Sequence, residues 1–338
     1  MKKLNIETLL CGLILFITSC DPDDAAYNRG IAKYDLKDYT GAIADFNKAI
    51  QVNPNNYIAY MFRGVAKDDL KDYTGAIEDY NKAIQLKPDY AKAYYNRGTV
   101  KCYLQDYTGA IEDFNKAIQL NPDFAEAYYN RGCAKNDLQD YNGTMADYNK
   151  AIQLKPDYAE AYYNRGCAKD DLKDFNGAMA DYNKAIQLKP DYAEAYYNRG
   201  CAKNDLQDHI GAITDYNKAI QLNPEDAKAY LNRGVAKNDL QDYTGAITDY
   251  NKAIQLNPED AEAYYNRGNV NIYFKDYTKA ITDFNKAIQL KPDFAKAYLN
   301  RGIIKFVLKD KNGACTDWSK AGELGVSKAY ILIQENCN

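Results

Sequence analysis

The dipeptide Arg-Gly recurs at Arg29, Arg63, Arg97, Arg131, Arg165, Arg199, Arg233, Arg267 and Arg301, each 34 residues after the last. A fixed period of this length means that one supersecondary unit is copied along the chain. It points to an array in place of the two or three compact domains that 338 residues would otherwise suggest. Nine copies occupy residues 23–328. In the copy 125–158, apolar residues at helical spacing form two segments, with Tyr128, Gly132 and Leu138 on one face and Met145, Tyr148 and Ile152 on another. The break falls at Gln139-Asp140-Tyr141, where Asp140 is placed to cap a second helix, and Lys155-Pro156-Asp157 ends that helix. Each copy is expected to be a helical hairpin that can bury its apolar stripe only against neighbouring copies. The fold class is all-α.

Tyr94, Gly98, Leu104, Tyr107, Ala110, Phe114, Ala117 and Pro122 in the copy from residue 91 give an order that resembles the tetratricopeptide repeat. The resemblance implies a right-handed superhelical solenoid, with first helices lining a concave groove and second helices facing outward. Gly98 and Ala110 are small where the two helices of a pair approach. Thr144, His209 and Val326 depart from the pattern, standing where alanine, tyrosine and proline are usual in the other copies. Behind the last copy, residues 329–338 carry Ala329, Tyr330, Leu332 and Ile333 and are expected to form a capping helix.

The first residues follow a different pattern. Lys2 and Lys3 precede an apolar run from Leu9 to Ile17, too short to span a bilayer, and Ile17-Thr18-Ser19-Cys20 resembles the lipobox of bacterial lipoproteins. Residues 1–19 are read as a signal peptide, Cys20 as the lipid-attachment residue, and 20–22 as an acidic linker. The expected location is extracytoplasmic, with a lipid anchor as the only membrane attachment.

With 27% charged and 46% hydrophobic residues the copies have the composition of a folded protein. A net charge of -4 gives no basic footprint for nucleic acid. His209 is the sole histidine, and Gly-rich phosphate loops and nucleophile elbows are absent from the sequence, so no enzyme, metal or cofactor is expected.

The arginine of each copy lies in an otherwise apolar run, where a half-buried guanidinium needs a counter-charge. An aspartate follows it by sixteen residues in every copy, so pairs such as Arg131 with Asp147 and Arg165 with Asp181 are expected to tie helices together. The alternative is an arginine ladder for anions. Cys133, Cys167 and Cys201 read as apolar fillers, while Cys315 and Cys337 are the two that can close a disulfide at the end of the array.

The groove offers asparagines at 28, 96, 130, 164, 198, 232, 266 and 300, with Phe62 as the exception. A carboxamide both donates and accepts, so Asn96, Asn130, Asn164, Asn198, Asn232, Asn266 and Asn300 can pair with the amides of an extended peptide. The row looks like the asparagine ladder in the repeats of O-linked N-acetylglucosamine transferase; the alternative is bonding between neighbouring helices. Tyr95, Tyr129, Tyr163, Tyr197 and Tyr265 stand beside it as adaptable contact residues. Aspartates such as Asp69 and Asp137 form a rim that favours neutral or basic partners. The expected function is an envelope-anchored scaffold binding extended polypeptides, with glycan binding or an architectural spacer as alternatives.

Overall fold

The computed structural model describes residues 22–337. Among these residues the chain is all-helical, in consecutive hairpins: α1 (Pro22–Asp35) with α2 (Tyr39–Val52), α3 (Tyr57–Asp69) with α4 (Tyr73–Leu86), α5 (Ala91–Tyr103) with α6 (Tyr107–Leu120), and α7 (Ala125–Asp137) with α8 (Tyr141–Leu154). The series continues through α9 (Ala159–Asp171), α10 (Phe175–Leu188), α11 (Ala193–Asp205), α12 (His209–Leu222), α13 (Ala227–Asp239), α14 (Tyr243–Leu256), α15 (Ala261–Tyr273), α16 (Tyr277–Leu290), α17 (Ala295–Val307), α18 (Lys311–Glu323) and α19 (Ser327–Asn336). Cys20 and the leader lie outside the described residues, within which no helix is long and apolar enough to cross a membrane.

The described chain divides into two compact bodies, with the boundary between residues 168 and 169. In the first body α1 touches α3, α3 touches α5 and α5 touches α7; in the second, α11, α13, α15 and α17 follow one another in the same way. Helices that crowd together lie on the inner side of a stack, so these first helices face inward within their own body.

The close approach inside each hairpin depends on glycine. A Cβ added to Gly98 would lie 2.9 Å from Phe114 Cε1 and 3.1 Å from the Ala110 carbonyl oxygen. The ring slot that covers this glycine holds Phe46, Tyr80, Phe114, Tyr148, Tyr182, Tyr216, Tyr250, Phe284 and Trp318, all buried. Alanines at positions such as 110, 117 and 127 surround the ring in the first body.

The turn inside each repeat has two devices. Asp140 caps α8 by accepting from Gly143 N at 3.0 Å. Just before it, Gln139 takes φ 61°, and Gln139 N and Asp140 N donate to the Asn136 and Lys135 carbonyls, a left-handed closure of α7. Leu138 does not extend the buried face of α7: it lies beyond the last helical residue and is 49% exposed. The capping helix starts at Ser327, two residues before the expected boundary. Its buried side is Ala329 with Leu332 and Ile333 against Trp318, while Tyr330 is largely exposed and donates its hydroxyl to the Gly322 carbonyl at 2.9 Å.

Candidate functional site

The inward arginines do not face open solvent as a ladder. Arg131 Nε and Nη2 donate to the two Asp147 oxygens at 2.8 and 2.5 Å, which joins α7 to α8. Its Nη1 donates to Asn115 Oδ1 at 2.6 Å, which joins α7 to the second helix of the preceding repeat. Lys135, one turn on, adds its ammonium to Asp147 Oδ2 at 2.8 Å. The same bidentate pair recurs at Arg63, Arg97, Arg199, Arg233, Arg267 and Arg301, so one side chain ties both the hairpin and the stack. In the first body Arg165 Nη1 bonds Asn149 at 2.6 Å, and in the second Asp181 accepts Lys169 at 2.8 Å. Arg29, with no described repeat before it, is more exposed and meets Asp45 at 3.5 Å, while Lys33 takes that carboxylate at 2.7 Å.

The lysine and the asparagine of this cluster escaped the sequence reading, although both recur at the 34-residue period. One repeat breaks the lysine rule. Asn271 stands in its place, bonds Asp283 at 3.0 Å, and the lysine reappears eight residues later as Lys279, against Asp276 at 2.8 Å.

The asparagine row makes a second seam between repeats. Asn130 Nδ2 donates to Tyr95 Oη at 3.0 Å, Asn164 to Tyr129 at 2.8 Å, Asn232 to Tyr197 at 2.8 Å and Asn300 to Tyr265 at 3.2 Å. Asn130, Tyr95 and Tyr129 are buried, so they hold the seam from beneath the inner face and do not reach its surface. Asn96, Asn164, Asn198, Asn232, Asn266, Asn300, Tyr163, Tyr197 and Tyr265 are half-buried and do reach it. Leu231, in the tyrosine slot one repeat before Asn266, has no hydroxyl to offer. Burial holds the Tyr129, Tyr197 and Tyr216 phenols well above their ordinary value, so these groups act as neutral hydrogen-bonding partners.

His209 is a structural residue of its turn, with Nδ1 2.8 Å from Asn204 Oδ1. Cys102, Cys133 and Cys201 are free thiols, whereas Cys315 and Cys337 are joined by a disulfide between α18 and the chain just beyond α19.

A cavity of the first body lies where the row fails. About 250 Å³ opens between α1, α3 and α5 around Met61 and Phe62.

The profile described as TPR repeat matches residues 69–102, 98–136, 134–169, 171–207, 202–239 and 236–273, and that described as tetratricopeptide repeat matches 24–56 and 261–294. The chain belongs to the tetratricopeptide repeat family. No curated protein matches this tetratricopeptide repeat chain. Among solved structures, a tetratricopeptide repeat protein from Parabacteroides merdae is similar at 22% identity and a TM-score of 0.55, over 73% of this chain and 99% of that one. YrrB, described as a TPR protein with an unusual peptide-binding site, is similar at 24% identity with a TM-score of 0.47, over 54% of this chain and 95% of its own. MamA is similar at 28% identity with a TM-score of 0.46, over 51% of this chain and 94% of its own.

Proposed function

We propose that this tetratricopeptide repeat chain is a non-enzymatic scaffold for protein-protein interaction, binding extended polypeptide segments along the inward first helices of its repeats. The observation that carries this reading is the seam itself. At Asn164, Asn232 and Asn300 the amide N–H is tied to a phenol of the preceding repeat, and these bonds hold both groups in place. A row of half-buried amides and phenols is thus pre-organised, which lowers the ordering cost of binding. Asp35, Asp137, Asp171 and Asp205, exposed at the ends of these helices, favour neutral or basic segments. The lipobox-like tetrad ending at Cys20 supports envelope anchoring through an acylated cysteine.

Selection from a random extended-peptide library on the immobilised chain tests the groove. The wild type should retain peptides that a folded Asn164→Ala, Asn232→Ala, Asn300→Ala variant loses; no retention, or equal retention by both, would reject peptide binding along this face. Mass spectrometry of the chain from a bacterial host tests the anchor separately. A mature N-terminus at acylated Cys20 is expected, and an unmodified Cys20 would exclude it.

A further inference from the structure

Repeat two departs from every other at the seam. Its Met61-Phe62 stands where the others place tyrosine or leucine followed by asparagine. Phe62 cannot donate to Tyr27 as Asn130 donates to Tyr95. The two rings meet edge to face instead, with centroids 5.9 Å apart. One repeat on, the Asn96 amide falls on Met61 Sδ at 3.3 Å, in place of a phenol oxygen. A polar seam has become an apolar gap, and that gap is the cavity of about 250 Å³.

Its walls are rings: Tyr27, Tyr34, Phe62, Tyr80, Tyr90 and Tyr95. Its charges lie at opposite ends. Asp68, only 6% exposed, is near the end of α3, and Lys92 is in the first turn of α5. Lys92 corresponds by period to Ile58, ten residues before Asp68, so the two levels are roughly 15 Å apart along parallel helices. The Asp68 end is the negative one. Asp69 follows it and accepts the Tyr34 hydroxyl. Tyr80 Oη, fully buried in the wall, has no hydrogen-bond partner among the described residues. Burial and then the Asp68 charge hold that phenol well above its ordinary value, which is consistent with negative potential there.

Aromatic faces and a buried carboxylate attract a cation, and a cavity of this size takes one long side chain but not a drug-sized molecule. We propose that the cavity between α1, α3 and α5 is a specificity pocket for a lysine side chain of a bound polypeptide. The aliphatic stem lies against Tyr27, Phe62 and Tyr90, and the ammonium is held at the Asp68 end, away from Lys92. The polypeptide context rests on the groove reading above; the pocket's preference for a lysine side chain is a separate claim.

Calorimetric titration of the full chain with acetyl-Ala-Ala-Lys-Ala-Ala-amide, and with the same peptide carrying norleucine for lysine, tests the proposal. The lysine peptide should bind at least about tenfold more tightly than its uncharged isostere. Asp68→Asn should bring the ratio to about one, and Phe62→Asn, which restores the residue used elsewhere, should weaken the lysine peptide by about tenfold. Equal affinities in the wild type, a ratio that survives Asp68→Asn, or no binding of the lysine peptide up to about 5 mM would overturn the proposal. Circular dichroism and Tm establish that each variant is folded; should Asp68→Asn fail that test, Phe62→Asn decides. Library peptides retained without a lysine preference would sink the pocket and leave the groove. Lysine binding through Asp68 with no library peptide retained would do the reverse.

Discussion

Two cations, Arg131 and Lys135, face one carboxylate at Asp147, so the members of this cluster are not equivalent. Removing Arg131 leaves Asp147 with Lys135, whereas removing Asp147 leaves two largely buried cations against each other, with side chains only 16% and 21% exposed. Asp147→Ala should therefore cost about 3–5 kcal/mol and Arg131→Ala about half of that. Hydrogen exchange of α7 and α8 measures both locally, and equal costs would refute the shared-carboxylate account. Asp45 adds a sign: the Lys33 hydrogen bond is the main reason its carboxyl sits below the ordinary range. A depressed carboxylate contributes stability that is present above about pH 4 and lost as pH falls through its folded value. Acid titration followed by exchange in α1 and α2 should show protection falling below about pH 4, and Asp45→Asn should abolish the acid-dependent part. The free thiols respond differently. Burial pushes Cys102 from 9.0 up to about 12, so its thiolate fraction at pH 8 falls roughly a thousandfold. Iodoacetamide should label Cys102 at pH 8 at least about a hundredfold faster in the unfolded chain than in the native one.

Within a hairpin, the glycine and the turn carry opposite predictions. Gly98→Ala gains about 1 kcal/mol of helix propensity but forces a methyl against the Phe114 ring and the fixed Ala110 carbonyl, which costs about 1–3 kcal/mol. The backbone oxygen cannot swing aside, so the net effect should be destabilising. Gln139 is the reverse case: a side chain held at φ 61°, where glycine is unstrained. Gln139→Gly should stabilise by up to about 1 kcal/mol, and chemical denaturation of the two variants should move in opposite directions. These elements also indicate what could be read in advance. The hairpins, the Asp140 cap, the glycine and the Arg/Asp spacing were legible because each leaves a residue type at a fixed period. The left-handed turn was not, since Lys and Gln carry no conformational signature of their own. Leu138 was misplaced because periodicity continues past the residue where the helix stops. At the candidate site the row of asparagines was legible, but its burial was not: whether a slot such as Asn130 reaches the surface depends on how neighbouring repeats pack. The cavity left one mark in the sequence, the exception at Phe62, whose consequence needed the third dimension.

At the scale of the whole molecule, contact range decides behaviour. Within each body every substantial helix contact joins elements one or two positions apart in the chain, so stability is a sum of hairpins and nearest-neighbour interfaces. The end of such a sum has a partner on one side only and should fray first. The second body answers with α19, whose Leu332 and Ile333 cover the Trp318 cluster, and with the Cys315–Cys337 disulfide that ties its far end to α18. Closing a separation of 22 residues restricts the unfolded end by about 3 kcal/mol. Reduction should thus speed hydrogen exchange in α19 by roughly a hundredfold, with a smaller effect in α18. Exchange in α11 and α12 of the same body should stay unchanged, because no direct contact carries the loss that far. Mass spectrometry with and without reductant resolves these segments. A uniform acceleration from α11 to α19 would mean that the second body opens as one cooperative block, and the additive description of the array would then be wrong for it.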